Sequence, residues 1–306
     1  MEILFWRSIS NSLIAVRLYK RKLFDIAYEK NFGVGAVCVG RVVKQSRASH
    51  FLVDFGTFQG FLEVKEHKID EVVEKVKNKS LHSFELTKEP EGKKLTKVKL
   101  CETQEVLHEA TLGSMLKNSS FFSEKVCEWI SKGVSKIFFE DATTLKLLKE
   151  KIHNFEAHCD YEINSFNKKL RERFEIDKAI ENLYRKNIYS ESGSYINIEK
   201  CVALTVIDVN SGNHTKSSFE VNSSILEELV RAIVLRDISG VIIVDFINMK
   251  HKNEELEFHE CVKKAFDQDG RQINLLGFTR GRLYEVVRQK KENSIESSEK
   301  MKRLLI

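Results

Sequence analysis

Two stretches decide the fold: Val202-Ala203-Leu204-Thr205-Val206-Ile207-Asp208-Val209-Asn210-Ser211-Gly212, and Val241-Ile242-Ile243-Val244-Asp245-Phe246-Ile247-Asn248. Each is a short apolar run that ends in acid and amide residues. Runs this short, bounded by turn residues, read as buried strands. Between them Ser224-x-x-Glu227 has the form of a capping box. Behind it Ile225, Leu226, Leu229, Val230, Ile233 and Val234 recur at helical spacing, with Gly240 as the stop. Beyond the second run, Phe258, Val262, Ala265 and Phe266 predict another helix. Residues 273–278 predict a third strand and residues 283–301 a basic terminal helix. From Ser194 onward the order is therefore strand–helix–strand–helix–strand, an α/β layer arrangement.

Towards the N-terminus the pattern changes. Leu170, Phe174, Ile180 and Leu183 predict an amphipathic helix over residues 166–184. Helices are expected at 121–129 and 143–151, with a strand at 134–139. Residues 33–64 carry the strongest strand signal, rich in β-branched and aromatic residues and punctuated by glycine. With a charged helix at 69–79, further strands in 83–100 and a turn at Pro90-Glu91-Gly92, this segment reads as a small barrel of about five strands. Residues 101–120 look like a connector. The first segment, with short apolar runs at Ile3, Leu13 and Leu23, reads as a β meander.

The chain has 306 residues, of which 42% are hydrophobic and 31% charged, which excludes wholesale disorder and a membrane bundle. The first twenty residues are interrupted by Glu2, Arg7 and Arg17 and show no clear cleavage site, so a cytoplasmic location is expected. The net charge of +5 permits an anionic partner without demanding one. The six cysteines stand singly, with no Cys-x-x-Cys. Reduced thiols are expected, and no zinc site. His158-Cys159 and His259-x-Cys261 would each supply only two ligands.

Asp208 and Asn210 are two residues apart and point to one face of their strand. If the two apolar strands are neighbours, Asp208 and Asp245 converge where α/β sheets bind ligands. Two carboxylates with an amide oxygen suit Mg²⁺, and Mn²⁺ equally, for phosphoryl chemistry. Acids after strands also serve simply as caps and turns. In the barrel, Phe51, Phe55, Phe58 and Phe61 lie near Arg41, Lys44 and Arg47, the combination a single-stranded nucleic-acid groove uses. Alternation requires about half of such residues to fill the barrel core. Arg280, Arg282, Arg288, Lys290 and Lys291 form a basic tail that would hold phosphates or be merely solvated. Lys88 with Lys93-Lys94 has the same two readings.

Together these motifs resemble the ribonuclease E/G family. Residues 203–212 are similar to its catalytic strand, and residues 235–249 to its next signature, in the same order and separation. Residues 33–64 resemble its S1 domain up to Gly60-Phe61-Leu62, and residues 87–96 the close of that domain. Thr279, Leu283, Glu285 and Arg288 are similar to a later stretch. The resemblance implies an RNase H-like fold (1–34 and 118–192) interrupted by an S1, OB-type barrel (35–100). A connector (101–117) and a DNase I-like catalytic α/β subdomain (193–306) complete it. It implies an endoribonuclease that cuts single-stranded, A/U-rich RNA to 5′-phosphate and 3′-hydroxyl ends in RNA processing or decay. Asp208 and Asp245 would hold Mg²⁺, Asn210 would orient the site, and Phe55 and Phe61 would lie on the RNA-binding surface. Lys44, Arg280 and Arg288 are the accompanying candidate RNA contacts.

The departures from the family are specific. Residues 101–120 are too few for its 5′-sensor segment and contain no Arg-Thr pair. The Cys-Pro-x-Cys zinc link is absent, so a monomer or homodimer is expected rather than a zinc-linked tetramer. Val202 stands where the family has an acid, Asn248 where it has a second aspartate, and Gly281-Arg282 where it has Leu-Gly. These changes keep open a rival reading, an RNA-binding protein of the same fold with weak or lost cleavage.

Overall fold

The computed structural model describes residues 1–30, 33–88, 95–101, 110–152, 160–213, 216–290, 301–303 and 305. The turn at 90–92, Lys93-Lys94, His158-Cys159 and Lys291 lie outside the described residues. The chain opens with β1 (Glu2–Arg7), β2 (Leu13–Tyr19) and β3 (Lys22–Tyr28). Then follow β4 (Val37–Arg47), β5 (His50–Asp54), β6 (Gln59–Glu63), α1 (Ile69–Asn78), β7 (Leu81–Lys88), β8 (Thr96–Leu100) and β9 (Met115–Lys117). Next come α2 (Phe121–Ser131), β10 (Lys136–Phe139), α3 (Ala142–Lys151), β11 (Tyr161–Ile163), α4 (Leu170–Arg173) and α5 (Ile176–Leu183). The last part holds β12 (Asn187–Tyr189), β13 (Tyr195–Lys200), β14 (Leu204–Asn210), α6 (Ser218–Leu235), β15 (Gly240–Asp245), α7 (Lys252–Phe266), β16 (Ile273–Phe278) and β17 (Tyr284–Arg288). The chain divides into two compact units, one built on Glu29–Glu124 and the other on Met1–Tyr28 with Lys125–Lys290.

The smaller unit is a closed five-stranded barrel, consistent with an OB-type domain. Its strands run in the order β5-β6-β8-β7-β4, and β4 pairs back with β5 to close the ring. The connector contributes β9, which pairs with β4. Alternation puts Phe51, Val53 and Phe55 inside, with Leu62, Phe84, Val98 and, from α1, Val72. The Phe55 ring needs glycine on both sides: a Cβ on Gly40 or on Gly60 would stand 2.8 Å from it.

The larger unit holds two sheets. In the first, β1–β3 form the expected antiparallel meander, and β10 and β11 extend it in parallel to give the order β11-β10-β1-β2-β3. The second has the order β12-β13-β14-β15-β17-β16, in which β14 and β15 alone are parallel. Ile207, Val209, Ile242, Val244, Tyr284 and Val286 are buried in the same cluster as Leu229, Ile233 and Phe258 of α6 and α7. The alternate residues Val206, Ile243 and Val287 are only half-buried. The two decisive runs therefore bury one face rather than both. Among the described residues no helix is long and apolar enough to cross a membrane.

Several sequence expectations need correction. The helix expected over 166–184 is two short ones, because Glu175 takes a left-handed backbone (φ 47°) between α4 and α5. The capping box of α6 is Ser217 with Glu220, not Ser224 with Glu227. Ser224 lies inside the helix and donates to the Val221 carbonyl. The helix ends at Leu235, and Asp237 (φ 54°) makes the left-handed exit expected of Gly240, which instead opens β15. Residues 284–288 are strand β17, not the start of a terminal helix. Tyr284, Val286 and Arg288 alternate inward there, a period of two that the flanking charges obscured.

Candidate active site

Asp208 and Asp245 are register partners on the parallel pair β14–β15. Their Cα atoms therefore sit about 4.8 Å apart, with side chains on the same face. Both are exposed. Neither is a cap: α6 begins on Ser217, and α7 begins where the Glu254 carboxylate accepts from the His251 N–H. Asn210 shares the face and donates its Nδ2 to Asp208 Oδ2 at 2.7 Å, which fixes one carboxylate rotamer. On the other side of β14, Asn197 of β13 is the register partner of Asp208. Its Oδ1 is buried without a hydrogen-bond partner. One row thus crosses three strands as Asn197, Asp208 and Asp245, with Asn210 beside it.

Like charges facing each other across a strand pair destabilise it. A divalent cation removes that cost, and the donor set is all hard oxygen, with an orphaned amide oxygen alongside. The residues fit Mg²⁺ or Mn²⁺ on those grounds. Among the described residues no three His, Cys, Asp or Glu side chains gather into a metal site. A cation here would rest on two carboxylates supplemented by amides and water.

The backbone on either side of the acids is held firmly. After β14, Gly212 turns with φ 62°, and a Cβ there would stand 2.6 Å from the Gly193 carbonyl oxygen, so only glycine fits. After β15, Asn222 of α6 clasps Ile247, accepting from its N–H at 3.0 Å and donating to its carbonyl at 2.8 Å. Arg282 donates to the Met249 carbonyl at 2.5 Å and pairs with Glu255 at 2.8 Å. Sequence reasoning missed Asn197 and Asn222 and saw in Arg282 only a departure and a basic charge. The signal for Asn222 was a polar residue among Val221, Ile225 and Leu229 on a buried helix face. Val202 is fully exposed, and Asn248 is exposed in the clasped segment.

The remaining candidates separate. On the outside of the barrel, register places Lys44 opposite Leu52, Leu52 opposite Phe61, and Phe61 opposite Lys97. Lys44 is exposed and Phe61 half-buried, its ring stacked on His50 with centroids 5.1 Å apart. These are an aromatic face and a cation on one surface. Phe55 is not part of it: it is 0% exposed and belongs to the core. Arg280 is exposed beyond β16. Arg288 is 2% exposed and pairs with Asp269 at 2.5 Å and Asp237 at 3.2 Å, so its charge is neutralised internally and cannot reach a phosphate.

The chain is similar in sequence to curated ribonucleases of three organisms. The chain is 29% identical over 196 residues to Ribonuclease E of Nostoc sp., covering 58% of this chain and 28% of that protein. It is 27% identical over 180 residues to Ribonuclease G of Haemophilus influenzae, covering 55% and 36% respectively. It is 33% identical over 134 residues to the chloroplastic ribonuclease E/G-like protein of Arabidopsis thaliana, covering 41% and 13%. The chain therefore spans well under half the length of these curated relatives. Its own match to the Ribonuclease E/G family runs over residues 67–291, nearly three quarters of its length and including both paired aspartates, and the chain belongs to that family.

Proposed function

We propose that the chain is an endoribonuclease that hydrolyses phosphodiester bonds within single-stranded, A/U-rich RNA, leaving 5′-phosphate and 3′-hydroxyl ends. The observation that carries this is the register pairing of Asp208 with Asp245 on an exposed sheet face. Family membership supports the reaction class. Asp208 and Asp245 would hold Mg²⁺, which when bound supplies charge neutralisation at the phosphoryl group and a more acidic water. Asn210 holds the Asp208 carboxylate in one rotamer. Asn222 and Arg282 hold the backbone that follows Asp245, so the second carboxylate cannot drift. Small displacements of such groups are costly to rate. The barrel row of Lys44, Phe61 and Lys97 would grip the strand by stacking and charge.

The finer fold assignment belongs to the same reading. An RNase H-like subdomain is supported by the order β11-β10-β1-β2-β3, antiparallel through β3 and parallel through β11. A DNase I-like subdomain from residue 193 is supported by the α6–α7 layer on the second sheet. The barrel fits an S1 domain.

Asp208→Asn tests the assignment. Removing one of two facing carboxylates relieves repulsion, so the variant keeps its fold. Cleavage of a labelled single-stranded RNA is expected to vanish while RNA affinity persists. Unimpaired cleavage by the variant would refute the role of Asp208. A folded wild type that binds RNA without cutting it in Mg²⁺ would make the chain an RNA-binding protein.

A further inference from the structure

Beside the carboxylate row stand two tyrosines that no part of the mechanism uses. Tyr189 of β12 is the register partner of Tyr195 of β13, and Tyr195 is the register partner of Asn210. Opposed residues share a face, so both tyrosines stand on the face of Asp208 and Asp245, one step along the strands. Their rings are 5.2 Å apart, inclined at 45°, and Tyr189 is 56% exposed. Together with Ser192, Gly193, Gly212 and Asn213 they line a cavity of about 360 Å³.

The cavity is a built one. The loop joining β12 to β13 is tied to α6 by a hydroxyl network: Ser190 to Ser194 at 2.7 Å, Ser192 to Ser224 at 2.9 Å and Ser194 to Ser224 at 3.1 Å. Gly212 and Gly193, which both line the cavity, approach so closely that a Cβ on Gly212 would stand 2.6 Å from the Gly193 carbonyl oxygen. Asn187 donates to the Tyr189 hydroxyl at 3.2 Å and fixes that ring. Tyr189 also lines a second cavity of about 430 Å³ with the exposed cations Arg21 and Arg185, while Lys178 there pairs with Glu175 at 3.6 Å.

We infer that the tyrosine cavity is a nucleobase subsite of the catalytic sheet. It takes the base next to the scissile phosphate of a single-stranded RNA, and the strand then runs over Tyr189 towards Arg21 and Arg185. The chemistry is specific: two aromatic faces accept a base by stacking, while the Gly193 and Gly212 backbone lies close enough to read its edge. Cations beyond the stack meet the following phosphates. This rests on the endoribonuclease reading and adds to it a specificity element outside the barrel.

The test uses the full chain carrying Asp245→Asn, so that RNA is not consumed, and a short single-stranded RNA containing one 2-aminopurine. In that background Tyr189→Ala and Tyr195→Ala are each expected to lower affinity by about 5- to 150-fold and to abolish quenching of the 2-aminopurine. Tyr189→Phe and Tyr195→Phe, which keep the ring, are expected to recover most of both. Tyr189 is too exposed for its truncation to threaten the fold, and tryptophan fluorescence melting checks the Tyr195 variant. Unchanged affinity and quenching in both alanine variants, with Phe61→Ala still weakening binding, would overturn the subsite and leave the endoribonuclease reading standing. Failure of the parent protein to bind RNA at all would overturn both.

Discussion

Replacing Arg288 by methionine separates a structural cation from an RNA-binding one. The side chain makes four internal bonds: Nε to Asp269 Oδ2 at 2.5 Å, Nη2 to Asp269 Oδ1 at 3.0 Å, Nη1 to Asp237 at 3.2 Å and Nη1 to the Ile238 carbonyl at 2.8 Å. Methionine fills similar space but leaves Asp269, only 8% exposed, without its guanidinium partner and with only the Arg271 N–H at 3.3 Å. Asp237 keeps Arg271 at 2.6 Å. Breaking a buried pair from one side costs about 3–5 kcal/mol. With a urea slope of about 3 kcal/mol per molar, the unfolding midpoint falls by about 1–2 M. The assay is simple because the two tryptophans, Trp6 and Trp129, are both buried in the larger unit and report on it alone. Pairing the change with Asp269→Leu should recover most of the loss, since an apolar pair of similar volume replaces a buried ion pair at little cost. A variant with the wild-type midpoint but reduced RNA affinity would refute this account of Arg288.

Three further outcomes are expected. Phe55→Ala should destabilise the barrel by about 3–5 kcal/mol, whereas Phe61→Ala should leave it standing and weaken RNA binding by about 1–3 kcal/mol; denaturation and fluorescence anisotropy distinguish them. Asn222→Ala orphans the N–H and carbonyl of Ile247 and should cost about 1–3 kcal/mol in melting experiments, with a lower cleavage rate as the segment after Asp245 loosens. At Asp25, burial pushes the carboxyl pKa up, but Lys125 at 2.8 Å and Arg17 outweigh it and hold it below the usual range. A depressed pKa contributes stability above the unfolded value of about 3.9, lost as pH falls through the folded one. Lys125→Met should therefore move acid unfolding of the larger unit to higher pH by tryptophan fluorescence, and an unmoved profile would contradict it.

What was legible in the sequence was whatever period and local chemistry encode. The runs around Asp208 and Asp245, the glycine-punctuated barrel and the N-terminal meander all announce themselves by alternation and turn residues. Register is different. Nothing local says that Asp208 pairs with Asp245, because that follows from how two strands align. The capping box was ambiguous because Ser217-x-x-Glu220 and Ser224-x-x-Glu227 have the same form, and Phe219 and Val221 extend the helix upstream. Phe55 and Phe61 look alike in sequence, and strand parity alone decides that one fills the core. Arg288 reads as a surface charge until Asp269 and Asp237, from two distant segments, are seen to enclose it. The tyrosine row escaped for the same reason, since Tyr189, Tyr195 and Asn210 meet only through cross-strand pairing.

Asp208 and Asp245 are proposed to form one metal-dependent cutting site. The most direct measurement is cleavage of a short fluorogenic A/U-rich single-stranded RNA, with wild type and Asp245→Asn side by side, in Mg²⁺ and in chelator. Cutting by the wild type is expected in Mg²⁺ only, with 5′-phosphate and 3′-hydroxyl products, and none by the folded variant in either condition. Cutting that survives chelation, or that Asp245→Asn retains, would contradict it.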